Sequence, residues 1–252
     1  TTSTRVIIFD KKFNFIFSSQ KEFKQIFPRD GEVEHDPEEI YQSVLFTAKD
    51  AIRRAKIKPT QIRSIGITNQ RETTVLWDKN NGKAIYNAIV WQDRRTVKFC
   101  KNLVQKGFAK KIQKTTGLVV DSYFSASKIN WLLKNVKTVK ELLKKDRLLF
   151  GTIDTWLLWK LTDGQSHYTE ATNASRTMLF DIKKNQWSKK MLQIFKVPEK
   201  ILPVVKDSAD DFGRTTKFGS NIPIQGIAGD QQAATIGQAC LEPGSIKSTY
   251  GT

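Results

Sequence analysis

Hydrophobic and polar positions alternate along this chain in short strand-like and helix-like stretches. RVIIFD (5–10) is a continuous apolar run, the pattern of a strand buried on both faces, and FNFIFSS (13–19) places Phe13, Phe15 and Phe17 at period two. Together they predict an antiparallel hairpin. Asp36 and Pro37 suit an N-cap and a first helical turn, and Ile40, Val44, Ala48, Ile52 and Ala55 trace one apolar stripe through a helix that ends near 57. A strand is predicted over 62–68 and a second over 73–77, paired with each other across a turn at Arg71 and Glu72. Asn81-Gly82 supplies another tight turn before a strand at 85–92.

The second half continues the alternation. Helices are predicted at 125–136, with Ile129, Leu132, Leu133 and Val136 inward, and at 155–162, with a strand at 148–151 between them. The apolar strand 222–229 ends in glycine and leads into a small-residue helix over 230–240. The segment 205–221 is polar and glycine-bearing and reads as a surface excursion. Strands mixed with helices and an initial hairpin predict an α/β class with a mixed sheet.

Composition narrows the function. The chain has 252 residues, 39% of them hydrophobic, which suffices for a sizeable core. It shows no apolar run of transmembrane length and no N-terminal apolar segment with a cleavage site, so the expectation is no membrane insertion and a cytoplasmic location. Cys100 and Cys240, with His35 and His167 as the only histidines, suggest neither a zinc site nor a disulfide framework. The balance of 42 basic against 25 acidic residues gives +17, which by itself would fit a nucleic-acid binder. Its distribution argues otherwise. In KNVKTVKELLKK (134–145) leucines at helical spacing face inward and lysines coat the outside, so no nucleic-acid partner is expected, although such a field attracts anionic nucleotides.

Polar clusters stand at the ends of predicted strands, where open α/β sheets bind ligands. They are Thr1-Thr2-Ser3 with Arg5, Gln70-Arg71-Glu72, Trp91-Gln92 with Arg94 and Arg95, and Gly229-Asp230-Gln231. Asp230, after an apolar strand and a glycine, suits a general base and equally an N-cap. Arg71 and Glu72 suit an exposed ion pair at a turn, or a guanidinium and a carboxylate that together read the hydroxyls of a polyol. Trp91 is either core or an apolar wall against a carbon backbone, with the phenol of Tyr123 beside it.

Several longer segments carry a family resemblance: GITNQRETT (66–74), YNAIVWQDRR (86–95), TGLVVDSYFSASKINWLLKN (116–135), LFGTIDTWLLWKLT (149–162), TNASRTMLFD (172–181), GIAGDQQAA (226–234) and STYGT (248–252). In this order and spacing the chain resembles the N-terminal domain of the FGGY carbohydrate kinases, with Tyr123, Ser125, Lys128, Trp131 and Asn135 fitting a spaced signature of the family. Asn-Gln-Arg-Glu-Thr-Thr, Val-Trp-Gln-x-Arg-Arg and YFSASK resemble the members that act on glycerol more than those that act on ketoses or other polyols.

The resemblance implies a ribonuclease-H-like, actin-type ATPase fold, a mixed sheet flanked by helices in the first lobe of a two-lobe kinase. Residues 1–246 would form the substrate-binding lobe, and 247–252 the start of the nucleotide-binding lobe. The implied activity is ATP-dependent phosphorylation of glycerol to sn-glycerol 3-phosphate, with Mg2+ and ATP, by a homo-oligomer. By motif match, Arg71, Glu72, Trp91, Tyr123, Asp230 and Gln231 would contact glycerol, Asp230 would be the catalytic base, and Thr1, Thr2, Ser3, Arg5 and Thr252 would contact the nucleotide. Three departures stand out. The family's Asp-x-Gly strand would precede Thr1, and most of the second lobe would follow Thr252, so the 252-residue piece alone is expected to lack kinase activity. Glu32 stands where relatives usually carry tryptophan.

Overall fold

The computed structural model describes residues 2–249. β1 (Ser3–Phe9) and β2 (Phe15–Glu22) form the expected antiparallel hairpin. Asp10 folds its turn, its carboxylate accepting from the backbone N–H of Lys12 and Asn14, with Phe13 in the left-handed region at φ 63°. The apolar run of β1 predicts burial on both faces, and the structure departs from this. Val6 and Ile8 are half-buried, whereas Ile7 and Phe9 stand in solvent, because the hairpin packs one face on the following helix and its other face is open. After β3 (Glu34–His35) that helix, α1 (Pro37–Arg54), is capped by the Asp36 carboxylate, which accepts from Glu38 N–H at 2.8 Å.

β4 (Ile65–Asn69), β5 (Val75–Asp78) and β6 (Ala88–Ile89) follow. The sequence pattern predicts that the first two pair with each other, and they do not. Glu72 adopts φ 62° and Thr73 N–H donates to the Arg71 carbonyl at 2.7 Å, so the chain makes a corner out of one sheet into another instead of a reversal. The tight turn at Asn81-Gly82 does form, with Gly82 at φ 62°, while the predicted strand 85–92 shrinks to β6, which pairs with β3.

Beyond it come α2 (Val97–Gln105), α3 (Ala109–Thr116), α4 (Ser125–Asn135), α5 (Lys137–Lys144), β7 (Leu148–Gly151) and α6 (Ile153–Leu161). In α5 Val139 and Leu142 are buried and the lysines exposed, the arrangement its spacing predicts. The rest of the chain supplies β8 (Tyr168–Glu170), α7 (Ala171–Ala174), β9 (Phe180–Asp181), β10 (Gln186–Trp187), α8 (Lys189–Phe195), β11 (Val204–Lys206), β12 (Arg214–Thr215), β13 (Ile222–Gly229) and α9 (Asp230–Gly237).

β4 lies parallel to β13, and β5 antiparallel to β7. Every residue of β5 and β7 is buried, and side-chain alternation sends them into two different cores. Leu76, Leu148 and Phe150 join Ile112, Ile129 and Leu132 in one; Val75, Trp77 and Leu149 join Trp156, Leu158 and Ile224 in the other. The β5–β7 ribbon is therefore the wall between the cores. The predicted surface excursion 205–221 instead contains β12, and it sends Phe212 and Phe218 into the second core. Among the described residues no helix is long and apolar enough to cross a membrane.

Two imidazoles are built into these cores. His35 is held between Gln25 and Gln70, and His167 lies edge-on to Trp77 and Trp159 with Nε2 against the Phe150 carbonyl. Burial pushes both down from 6.5 to about 4. An unfolded imidazole protonates near 6.5 while the folded ones stay neutral, so the stability they contribute is lost as pH falls from 6.5 toward 4. Asp154, pushed up to about 6 by burial, has the opposite sign and offsets part of this loss. Thermal melting temperatures should thus decline over that window, and His167→Gln should make the decline shallower; an unchanged slope would contradict the buried neutral imidazole.

Candidate active site

The corner between β4 and β5 gathers the polar residues. Glu72 is 2% exposed, which removes the surface-turn reading of the Arg71-Glu72 pair. Its carbonyl accepts from Ser125 Oγ at 2.8 Å, and its carboxylate accepts from Arg176 Nε at 2.7 Å. Burial pushes this carboxyl upward, and the guanidiniums of Arg176 and Arg71 work against that by favouring the ionised form. Arg71 Nε lies 3.3 Å from Asp230 Oδ1, while its Nη1 donates to Gln232 Oε1. The contact with Asp230 lacks hydrogen-bond alignment. Three buried polar atoms at this corner, Gln70 Oε1, Arg71 Nε and Thr73 Oγ1, have no hydrogen-bond partner among the described residues.

Asp230 opens α9, but Gly229 holds the N-cap position, and among the described residues the Asp230 carboxylate accepts a hydrogen bond only from its neighbour's N–H, that of Gln231 at 2.8 Å. The carboxylate is exposed beside Arg71. A relay fixes the backbone beneath it. Gly229 N–H donates to Thr172 Oγ1 (2.8 Å), whose hydroxyl donates to the buried carboxylate of Glu170 (2.7 Å). Glu170 also accepts from Thr172 N–H, Asn173 N–H and Ser208, capping α7. Asn173 in turn exchanges amide hydrogen bonds with Asn69 at the end of β4. A Cβ at Gly229 would stand 2.4 Å from Arg71 Cδ, so a side chain there would displace that of Arg71.

Tyr123 stands at the mouth of α4, its ring 5.3 Å from that of Trp91 and 5.7 Å from the Arg176 guanidinium. Trp91 is half-buried and lines a cleft with Tyr123. The Tyr123 loop is anchored from below. Lys128, fully buried on α4, donates Nζ to the carbonyls of Ser122, Tyr123 and Phe124, and burial pushes its ammonium down to about 8. A cleft of about 750 Å³ adjoins the ring pair, lined also by Val97, Cys100, Val104 and Asp121 but not by Arg71, Glu72 or Asp230.

Contacts thus link Trp91 to Tyr123, Tyr123 through Arg176 to Glu72, and Arg71 to Asp230. Gln231 adjoins this group, with Oε1 accepting from Lys247. The residues proposed for the nucleotide lie differently. Thr2 precedes β1 and its carbonyl accepts from Phe23; Ser3 and Arg5 belong to β1, hydrogen-bonded to Gln20. Thr1 and Thr252 lie outside the described residues. Arg176, Glu170, Thr172 and Asn173 were assigned no role from sequence; their signal is the hydrogen-bonding density of YTEATNASRT, a polar run between apolar segments.

A buried carboxylate, a guanidinium and a helix-opening carboxylate thus meet at one corner of an α/β fold. The model of the FGGY family of carbohydrate kinases, N-terminal domain, matches residues 1–237, and the chain belongs to that family. It is 58% identical to the glycerol kinase of Sinorhizobium fredii over 100% of this chain and 51% of that protein, and 55% identical to glycerol kinase 2 of Thermotoga maritima over the same shares. Plasmodium falciparum glycerol kinase, solved with ADP, superposes with TM-score 0.94 at 40% identity, covering 99% of this chain and 51% of that one. Gluconate kinase from Lactobacillus acidophilus shares the fold, with TM-score 0.83 over 94% of this chain and 47% of its own at 24% identity. The fold is accordingly the actin-like ATPase type, and the chain spans about half the length of the curated relatives it matches.

Replacing Lys128 with methionine would orphan the carbonyls that anchor the Tyr123 loop. With unsatisfied buried groups costing about 1–3 kcal/mol each, Lys128→Met should lower unfolding free energy by on the order of 3 kcal/mol in urea titrations. A loss below about 0.5 kcal/mol, the range of surface substitutions, would contradict the anchoring role.

Proposed function

We propose that the protein transfers the γ-phosphoryl group of ATP to a terminal hydroxyl of glycerol, giving sn-glycerol 3-phosphate and ADP. The observation that carries this reading is the Arg71 guanidinium set between the buried carboxylate of Glu72 and the exposed carboxylate of Asp230, with Gln70 Oε1 and Thr73 Oγ1 beside them lacking hydrogen-bond partners among the described residues. A guanidinium donor and carboxylate acceptors placed together match the donor and acceptor capacity of vicinal hydroxyls. Identity of 54% to 58% to curated glycerol kinases over the whole chain supports glycerol over the ketose and sugar-acid substrates of other members.

In this reading residues 1–246 form the substrate-binding lobe and 247–252 begin the nucleotide-binding lobe. The Arg71 guanidinium donates to glycerol oxygens and the Glu72 carboxylate accepts hydroxyl protons, so the pair sets which hydroxyl points forward. Trp91 and Tyr123 cover the carbon backbone, and Gln231 adds a polar contact. As the terminal hydroxyl attacks, its proton passes to Asp230. Phosphoryl transfer demands little further covalent work, so positioning and charge stabilisation supply the remainder. Thr1, Thr2, Ser3, Arg5 and Thr252 are the proposed nucleotide contacts. Mg2+ would accompany ATP and neutralise phosphate charge; among the described residues no group of three His, Cys, Asp or Glu side chains is placed to hold a metal, and no step is assigned to one. The enzyme would act in the cytoplasm as a homo-oligomer.

In the full-length protein, Asp230→Asn should lower kcat by about 10²–10⁴, the usual worth of a general base, with glycerol affinity retained. Turnover within about threefold of the parent would remove Asp230 from that role. Arg71→Ala should raise the KM for glycerol far more than that for ATP, because the site's polar groups lose their match. Equal damage to both, or preferential use of a pentulose in an ATP-coupled substrate panel, would overturn the glycerol assignment.

A further inference from the structure

Arg176 lies on the 3₁₀ turn Ser175–Thr177, remote in sequence from every residue of the proposed glycerol clamp. Its Nε donates to Glu72 Oε1 at 2.7 Å, and its guanidinium carbon stands 4.9 Å from the centroid of the Phe124 ring and 5.7 Å from that of Tyr123. Its side chain is 26% exposed while the carboxylate it holds is 2% exposed. The turn itself is rigid: Thr177 Oγ1 donates to the Ala174 carbonyl and accepts from Leu179 N–H, and Met178 closes it at φ 60°.

We propose that Arg176 is the positioning residue of the substrate clamp, bracketing Glu72 against the Tyr123 loop so that the carboxylate presents one fixed, charged geometry to the polyol. The inference rests on the glycerol reading of this site and adds to it a specificity-determining residue that does not itself need to touch substrate. A charge-assisted bond from a planar guanidinium restrains a carboxylate in direction as well as charge, and stacking over two rings restrains the guanidinium in turn. Without the bracket, Glu72 would be a buried carboxylate at a left-handed corner with Arg71, which is shared with Asp230, and Lys128, whose Nζ is spent on the carbonyls of the Tyr123 loop, as its nearby cations.

The charged and titratable groups that face Glu72 are Arg176 from the 3₁₀ turn, Arg71 from its own corner, Asp230 from α9, Tyr123 from the loop before α4, and Lys128 from α4. Burial raises the Glu72 carboxyl and Asp230 raises it further, while Arg176 is the leading influence in the other direction. Removal of Arg176 therefore moves the protonation of Glu72 to higher pH, and carboxylate-dependent polyol binding is lost earlier as a solution is acidified.

The test compares Arg176→Ala, Arg176→Gln and Arg176→Lys with the parent in the full-length protein. For Ala and Gln, kcat/KM for glycerol should fall about 10- to 100-fold, mainly through KM, the scale of a lost charged hydrogen bond, while the KM for ATP stays within about threefold. The acid limb of the glycerol profile should shift to higher pH in both, and Arg176→Lys should return it toward the parent without restoring the parental KM. Carbon-13 titration of the Glu72 carboxyl reads the bracket with no substrate present, and Gln keeps this readout should Ala not fold. An unmoved Glu72 titration, or an unmoved acid limb with glycerol KM within about twofold of parent, would overturn the proposal. A moved titration in a protein that does not phosphorylate glycerol would keep the bracket and discard glycerol as its substrate.

Discussion

A charged carboxylate buried at a left-handed corner is the constraint on which the rest of this site depends. Taking an ion such as that of Glu72 out of water costs several kcal/mol unless partners compensate, and removing one partner of such a pair typically costs about 3–5 kcal/mol. The fold meets that demand from far along the chain. Arg176, 104 residues away, supplies the countercharge, and Ser125, 53 residues away, holds the corner's carbonyl. Ser125 opens α4 and Arg176 sits within the 175–177 turn, so the corner around Glu72 is assembled only when β4, α4 and that turn are all in place.

The same corner explains the arrangement of the sheets. Because Glu72 turns the chain instead of reversing it, β4 can lie beside β13 while β5 crosses to β7. The first pairing delivers Asn69 and Gly229 side by side at the strand ends, which sets Arg71 against Asp230; the second builds the wall that separates the two cores. Glu170, Thr172 and Asn173 lock the strand ends together through buried and part-buried hydrogen bonds. Support of this kind holds the charged groups of the corner in one arrangement.

Much of this was legible in the sequence. The hairpin, α1 with its Asp36 cap, the lysine-coated α5 and the strand–glycine–helix passage at 222–237 follow from periodicity and capping chemistry. Pairing was not legible, because a local pattern states that 65–69 and 75–78 are strands without stating which neighbour each will meet. Nor did polarity reveal burial: Glu72 and Glu170 look like surface residues until partners distant in sequence are known, and Phe212 and Phe218 are hidden in a stretch whose composition is that of a loop. Arg71, Glu72, Trp91, Tyr123 and Asp230 could be singled out by motif, whereas the residues that hold them could not, since their role is a matter of distance.

The most direct measurement is a crystal structure of the full-length protein with glycerol and a non-hydrolysable ATP analogue. The account predicts glycerol oxygens within about 3 Å of Arg71 and Glu72, the terminal hydroxyl against Asp230, and the carbon chain over Trp91. Glycerol seated instead in the cleft beside Val97 and Cys100, with the corner at Gln70, Arg71 and Thr73 left unsatisfied, would contradict it.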